Sequence, residues 1–197
     1  MSLGDREAEL LDTLEAVIDA ELPYVLIGGW AIAAFNQRFT TDVDVVIPSQ
    51  AIADTTALLI DHGYEKTADV ERSNIYEGRT LRFEKDIGNP VRFDAMVDAL
   101  GCRQTEAEWS YRCLSKHSVT KELRTGRPVT ARIPERELLF TVKVHSGRKA
   151  DTRDLVVLAA DADFDRIGTH LQRGDPEKLA ERIDTVLDRL TAEGFKD

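Results

Sequence analysis

The sequence predicts an α/β (α+β) protein in which a core of strands and helices precedes a helical C-terminal part. Two features of the chain support this prediction. Up to residue 133, short apolar runs bounded by glycine, proline or polar turns alternate with amphipathic segments, whereas from Pro134 onward the apolar pattern has the period of a helix. We therefore expect a core at residues 1–133 and a helical region at residues 134–197 that packs on it.

The first part of the core is predicted to hold two short buried strands, each followed by a helix. Leu10, Leu14 and Val17 lie on one stripe, which indicates that the chain begins with an amphipathic helix. Gly28-Gly29 separates the first strand from its helix, and Ser49 is suited to cap the next one. The predicted elements are a helix over residues 5–20, strand Tyr24–Ile27, helix Trp30–Asn36, strand Asp42–Ile47 and a helix from Ser49 to about His62.

The rest of the chain is predicted to contain further strands and then helices. The turn-rich residues 86–90 and Thr125-Gly126 each indicate a hairpin. The predicted strands are Tyr64–Thr67, Thr80–Glu84, Val91–Val97, Ser118–Leu123 and Pro128–Ile133. The predicted helices are Glu106–Leu114, Glu135–Ser146, Lys149–Ala160, Phe164–Leu171 and Pro176–Ala192.

Composition and charge narrow the functional classes. No apolar run approaches the ~20 residues of a membrane span, the first residues lack signal-peptide features, and Cys102 and Cys113 lack metal-type spacing, so we expect a cytoplasmic protein. The net charge of −10 argues against non-specific nucleic-acid binding. The segment Arg112–Arg136, with seven basic and two acidic residues, is nevertheless either a surface that contacts RNA phosphates or a solvated basic hairpin.

Asp42 and Asp44 stand in a segment that otherwise has the pattern of a buried strand. Residues i and i+2 of a strand point to the same face, so the two carboxylates lie side by side. Such a pair repels unless a cation or hydrogen-bond donors intervene, and partly buried carboxylates suit Mg²⁺. Gly28-Gly29 before them allows a sharp turn and a close backbone approach to a ligand, although Gly-Gly before a helix is by itself more often a plain tight turn.

A third carboxylate is expected from a neighbouring strand. Asp94 stands in the middle of Val91–Val97, where strand propensity disfavours aspartate. Such a mismatch is typical of functional sites, but a simple ion pair of Asp94 with Arg82 or Arg92 is the alternative. Asp98, near the end of the same strand, is the alternative candidate for the third carboxylate. The other acidic repeat, at Asp161, Asp163 and Asp165, precedes a helix and is explained by capping and solvation.

The combination of Gly28-Gly29, the stretch Arg38-Phe39-Thr40-Thr41-Asp42-Val43-Asp44 and a later Asp94 resembles the polymerase-beta-like nucleotidyltransferase superfamily. The Arg-x-Thr-x-Asp-x-Asp form is especially similar to small prokaryotic nucleotidyltransferases related to abortive-infection toxins. Lys143 to Leu155 is similar to a helical segment of those proteins. The resemblance covers Leu22 to about Leu158.

The resemblance implies a short mixed sheet flanked by helices and an enzyme that transfers a nucleoside monophosphate from an NTP, such as ATP, to an acceptor hydroxyl. The acceptor classes are an RNA 3′ end, a protein and a small molecule, and a toxin would imply an antitoxin protein as partner. Two Mg²⁺ ions would be held by the catalytic residues Asp42, Asp44 and Asp94. The implied nucleotide-binding residues are Gly28, Gly29, Arg38, Thr40, Lys143, Arg148, Lys149 and Asp154.

Two other functional classes remain open at this stage. A catalytically inactive module that keeps the fold could bind a nucleotide or a partner, although the three aspartates disfavour it. A Mg²⁺-dependent phosphatase or other hydrolase is disfavoured because the Gly-Gly turn precedes the aspartate pair and because no nucleophile is evident.

Overall fold

A computed structural model describes residues 3–38, 40–72 and 76–192. The chain divides into two compact units. Unit 1 takes residues 1–73, 78–100 and 109–134, and unit 2 takes residues 74–77, 101–108 and 135–197. The predicted division at residues 133 and 134 stays a prediction. Phe39 of the predicted motif and residues 193–197 of the predicted helical region lie outside the described residues.

Strands and helices are numbered in chain order. They are α1 (Leu3–Asp19), β1 (Val25–Ile27), α2 (Gly28–Ala33), β2 (Asp42–Ile47), α3 (Ile52–Asp61), β3 (Glu65–Arg72), β4 (Tyr76–Asp86), β5 (Pro90–Val97), β6 (Ala99–Cys102), β7 (Ala107–Ser110), α4 (Tyr111–Lys116), β8 (Ser118–Leu123), β9 (Val129–Pro134), α5 (Arg136–Ser146), α6 (Thr152–Ala159), α7 (Phe164–Leu171) and α8 (Pro176–Ala192). Short 3-10 turns at Ser49–Ala51 and Lys149–Asp151 precede α3 and α6.

Unit 1 contains a mixed sheet. β1 pairs with β2 antiparallel, β2 pairs with β5 parallel, and β4 pairs with β5 antiparallel, while β3 pairs with β4. β8 and β9 form a separate antiparallel hairpin. The predicted fold class, a short mixed sheet with flanking helices, is therefore confirmed. The parallel β2–β5 pair carries the predicted aspartates.

The core of unit 1 explains why β2 and β5 form neighbouring strands. Val43 and Val45 of β2 are fully buried, and so are Phe93 and Ala95 of β5. Because alternate residues of a strand share a face, these side chains fix the register and leave the even-numbered residues of β2 and β5 on the opposite face. Trp30 of α2 is also fully buried.

Unit 2 is mainly helical, as the periodicity predicts. Val144, Leu155, Leu179 and Val186, contributed by α5, α6 and α8, form a buried apolar cluster. At the N-terminal end of β4, Tyr76 pairs with Cys102 of β6 in an antiparallel bridge. β6 has no counterpart among the predicted strands.

Several predicted elements differ from the structure in type or in bounds; for example, β3 and β4 are longer than predicted. The helix predicted at Glu106–Leu114 is instead strand β7 followed by α4. Ala107 and Trp109 are buried whereas Glu108 and Ser110 are exposed, so the local period is two rather than 3.6. In addition, α2 begins at Gly28 and ends at Ala33, earlier than the predicted Trp30–Asn36.

Candidate active site

Asp44 on β2 lies directly opposite Asp94 on β5 in the parallel pair, and Asp42 lies opposite Arg92. Because alternate residues of a strand share a face, Asp42, Asp44 and Asp94 all project from the face opposite the buried Val43. The structure therefore brings together the three carboxylates that the sequence singles out. Asp42 and Asp44 are half-buried, and the Asp94 side chain is 12% exposed.

The Gly28-Gly29 turn lies against these side chains. Gly28 follows Ile27, which pairs with Asp44, and has a positive φ of 65°. A Cβ atom at Gly28 would stand 2.1 Å from Asp44 Oδ2, and one at Gly29 would stand 2.8 Å from Thr40 Oγ1. Real Cβ atoms do not approach that closely, so both glycines are required by the side chains that face them.

Thr40 and Arg38 occupy the connection that leads into β2. The Thr40 hydroxyl donates a hydrogen bond to Asp42 Oδ1 at 2.6 Å. Arg38 is half-buried in the irregular segment that follows α2. The nucleotide contacts expected of both residues stay predictions.

Asp94 makes the ion pair that the sequence left open as an alternative. Arg82 on β4 pairs with Asp94 in the sheet register, and its guanidinium donates to both carboxylate oxygens at 2.8 and 2.9 Å. The hydrogen bonds to Asp94 raise the pKa of Arg82, against the opposing effect of burial, and the charge of Asp44 adds to the increase. A fixed cation therefore stands among the carboxylates.

Asp98, the substitute candidate, has a structural task at the end of β5. Its backbone is left-handed, with φ 64°, and its Oδ1 accepts a hydrogen bond from the Ser49 amide at 2.7 Å. The expected capping by the Ser49 side chain is absent from the described structure, because Asp98 caps this turn instead. Asp163 caps α7 by accepting from the Arg166 amide at 3.1 Å, as predicted.

In unit 2, Lys143 and Arg148 contact the buried carboxylate of Asp151, and Lys143 also contacts Asp154. Lys143 Nζ lies 2.7 Å from Asp151 and 2.9 Å from Asp154, and its side chain is 4% exposed. Burial would raise the pKa of Asp151, but the hydrogen bonds from Arg148 and the charge of Lys143 lower it to about 2. Lys149 is exposed beside this network. The sequence did not single out Asp151, although its place between Lys149 and Asp154 was part of the resembling segment.

His145, two residues after Lys143 on α5, is fully buried. The sequence does not single it out as a candidate residue. Its Nδ1 meets the Thr105 hydroxyl at 2.7 Å, and its Nε2 lies 3.1 Å from the Leu171 carbonyl oxygen. A carbonyl oxygen only accepts, so Nε2 carries the proton and Nδ1 accepts from Thr105. Burial lowers the pKa of His145 to about 4. His145 is therefore a neutral structural histidine.

The basic segment Arg112–Arg136 is partly neutralised within the chain. Arg127 ion-pairs with Asp12 of α1 at 2.6 Å. Arg132 donates to the Ser118 hydroxyl at 2.6 Å, and the Lys121 ammonium lies over an aromatic ring, 4.3 Å from its centroid. Three of its cations therefore have partners within the protein, and the partner of Arg127 is an acidic group.

Comparisons with known proteins identify the family of the chain. The family model described as aminoglycoside-2''-adenylyltransferase matches residues 9–158, more than half of the chain. The chain belongs to this adenylyltransferase family. Every residue of the candidate site falls within the matched range. A comparison with curated proteins gave no match.

Solved structures place the adenylyltransferase fold of this chain among nucleotidyltransferases. The lincosamide antibiotic adenylyltransferase LnuA, with lincomycin bound, is similar with a TM-score of 0.53 and 16% identity over 78% of this chain and 96% of its own. An antigenic nucleotidyltransferase-like protein from Paracoccidioides brasiliensis is similar with a TM-score of 0.52 and 16% identity over 96% of this chain and 88% of its own. At such low identity these likenesses show the fold.

Membership of the adenylyltransferase family confirms the predicted enzyme class: the protein is a nucleotidyltransferase. The resemblance to the polymerase-beta-like superfamily is confirmed as well. The relation to abortive-infection toxins stays a prediction. Within the described ranges, none of the helices combines the length and apolar character that crossing a membrane requires.

Proposed function

We propose that this protein catalyses the Mg²⁺-dependent transfer of adenylate, or another nucleoside monophosphate, from an NTP to a hydroxyl group of a small-molecule acceptor. One observation carries the proposal: Asp44 and Asp94 face each other across a parallel strand pair, with Asp42 beside them and the Gly28-Gly29 turn in contact with Asp44. Phosphoryl transfer depends mainly on such positioning of charge.

The donor set fits magnesium. Asp42, Asp44 and Asp94 would hold the cation, because hard divalent ions prefer carboxylate oxygens. The absence of a Cβ at Gly28 gives Asp44 Oδ2 the room it occupies. When bound, Mg²⁺ neutralises charge on the triphosphate and on the attacking oxygen.

The residues of this chain have separate tasks in the proposed reaction. The acceptor oxygen forms a bond to the α-phosphorus while the bond from that phosphorus to the pyrophosphate oxygen breaks, and an Asp94 carboxylate oxygen receives the acceptor proton. Arg82 holds both oxygens of Asp94 and so orients this base. The backbone of Gly28 and Gly29 presents no side chain to the phosphates.

The predicted nucleotide contacts of Arg38 and Thr40 are retained as part of the proposal, whereas those of Lys143, Arg148, Lys149 and Asp154 stay predictions. The Thr40 hydroxyl is hydrogen-bonded to Asp42, and Arg38 lies two residues before Thr40. In unit 2, Arg148 and Lys149 are the more accessible cations, whereas Lys143 and Asp154 are buried. We assign Lys143 the task of holding Asp151, and thereby Arg148, in place.

A small-molecule acceptor is favoured over RNA. The description of the matching family names an aminoglycoside as the acceptor, and the similar LnuA structure has lincomycin bound. The RNA alternative rests on the net basic charge of Arg112–Arg136, but Arg127, Lys121 and Arg132 of that segment have partners within the protein. An antitoxin partner would follow only from a toxin function.

The test is a screen of α-³²P-labelled NTPs with Mg²⁺ against an aminoglycoside, lincomycin, total RNA and total protein, read on one chromatogram or gel. The proposal expects label on a small molecule, and none with Asp44→Asn. Label on RNA would instead support the RNA-modifying alternative. If no acceptor is labelled and Mg²⁺–NTP does not raise the melting temperature, the inactive binding-module interpretation replaces the proposed function.

A further inference from the structure

Thr40 makes the shortest described contact to Asp42. Its hydroxyl donates to Asp42 Oδ1 at 2.6 Å, the length of a charge-assisted hydrogen bond. Thr40 itself lies before β2, which begins at Asp42. The bond therefore links the first residue of the strand to the segment that leads into it.

Gly29 limits the positions that the Thr40 side chain can take. A Cβ atom at Gly29 would lie 2.8 Å from Thr40 Oγ1, 2.9 Å from its Cβ and 3.4 Å from its Cγ2. The threonine side chain thus rests directly on the glycine backbone. Because threonine is branched at Cβ, its side chain has few rotamers.

The three aspartates differ in how the protein holds them. Asp44 and Asp94 stand within their strands, where Asp44 meets Gly28 and Asp94 meets Arg82. Asp42 stands at the end of β2, so the ladder fixes its backbone on one side only. Thr40 supplies the constraint that the strand itself does not give.

We propose that Thr40 is a positioning residue that holds the Asp42 carboxylate in the orientation that binds the metal. The backbone of Gly29 in turn restricts the position of the Thr40 side chain. This inference rests on the proposed function, since it concerns the same metal site. Carboxylates that bind metals are oriented by such outer hydrogen bonds, and loss of one typically lowers metal affinity about 10- to 100-fold. The second glycine of the turn then serves the aspartates as well as the nucleotide.

The experiment measures Mn²⁺ binding to the full chain by electron paramagnetic resonance, without nucleotide, so that it does not depend on turnover. Thr40→Val keeps the shape of the side chain and removes the donor, and we expect about 10-fold weaker Mn²⁺ binding with an unchanged melting temperature. Thr40→Ser keeps the hydroxyl and should remain within about threefold of the wild type. Thr41→Val is the matched control and should bind Mn²⁺ like the wild type.

Gly29→Ala tests whether the Gly29 backbone positions the Thr40 side chain. The added methyl would displace Thr40, so it should weaken Mn²⁺ binding in the wild type but have little further effect in Thr40→Val, where the hydrogen bond is already lost. Equal Mn²⁺ affinity of Thr40→Val and the wild type would overturn the inference and leave the proposed function intact. A wild type that binds no Mn²⁺ would overturn both.

Discussion

The Arg82 guanidinium donates to both oxygens of Asp94, at 2.8 and 2.9 Å, from the paired position on the next strand. Asp94 in turn faces Asp44 across the parallel pair. Arg82 is therefore a resident counter-ion at the place where the proposed Mg²⁺ would add positive charge. The same carboxylate must serve both cations, which couples metal binding to this ion pair.

Replacing Arg82 by methionine should therefore make the protein depend on the metal for stability. Without the guanidinium, Asp94 and Asp44 repel each other, and we expect a loss of about 1 kcal/mol, because the Arg82 side chain is partly exposed. Mg²⁺ or Mn²⁺ relieves that repulsion. The metal-induced rise in melting temperature, followed by thermal denaturation, should be larger in Arg82→Met than in the wild type.

Arg79→Met provides the control on the same strand. Arg79 makes the same two-bond contact with Asp69, at 2.9 and 3.0 Å. Asp69 is not among the candidate metal ligands, so the Arg79 variant should show the metal response of the wild type. Equal metal responses in the two arginine variants would contradict the coupling of Arg82 to the site.

Gly28→Ala should be strongly destabilising because two costs combine. The residue has φ 65°, which costs a non-glycine residue about 1–2 kcal/mol. The new methyl would also stand 2.1 Å from Asp44 Oδ2. We expect a loss of about 3 kcal/mol in the free energy of unfolding, measured by urea denaturation.

Two further variants separate the costs at Gly28. Gly63 has φ 82°, but an added Cβ would lie 3.4 Å from the flexible Lys85 side chain, so Gly63→Ala should show the backbone cost alone. An Asp44→Ala background removes the carboxylate but keeps the Cβ atom 3.0 Å away, so Gly28→Ala should cost less there than in the wild type, though still more than the backbone cost alone. A Gly28→Ala effect that is unchanged by Asp44→Ala would mean that the contact is not the cause.

The sequence predicted the arrangement of the aspartates well because it follows from strand periodicity. Asp42 and Asp44 share a face in any regular strand, and the strand centre at Asp94 was evident from its apolar neighbours. The choice between Asp94 and Asp98 needed the parallel register, which sets Asp94 against Asp44. It also needed the left-handed backbone that turns Asp98 toward Ser49.

The surroundings of the charged residues could not be predicted in the same way. Lys143 on a helix has the same local pattern whether it faces solvent or a buried carboxylate, and only the packing of unit 2 placed it against Asp151. The strand at Ala107–Ser110 was mistaken for a helix because four residues are too few to separate the two periods. The local sequence pattern predicts which face of a strand or helix a side chain lies on. Whether that side chain is buried depends on residues that are distant in the sequence.

Lys143→Met should destabilise the protein by about 3 kcal/mol, because it leaves Asp151 and Asp154 buried without their shared ammonium group. Urea denaturation gives the loss. Lys149→Met is the control on an exposed lysine and should change the free energy of unfolding by less than about 0.5 kcal/mol. If Lys143→Met were as stable as Lys149→Met, the buried pairs would not support the fold.

His145 should make the stability depend on pH. Burial lowers its pKa to about 4 in the folded protein, whereas an unfolded histidine titrates near 6.5. Between these values the unfolded chain binds a proton that the folded chain does not, so stability is full above about pH 6.5 and falls as the pH decreases toward 4. At pH 5 the loss due to His145 alone should be about 2 kcal/mol.

The variant His145→Gln isolates this contribution. Its amide can donate to the Leu171 carbonyl oxygen as His145 Nε2 does, but it does not titrate. Urea denaturation at pH 7.5, 6.0 and 5.0 should give a shallower decrease in the free energy of unfolding for His145→Gln than for the wild type, whatever its stability at pH 7.5. Parallel curves for the wild type and His145→Gln would show that His145 does not remain neutral in the folded protein.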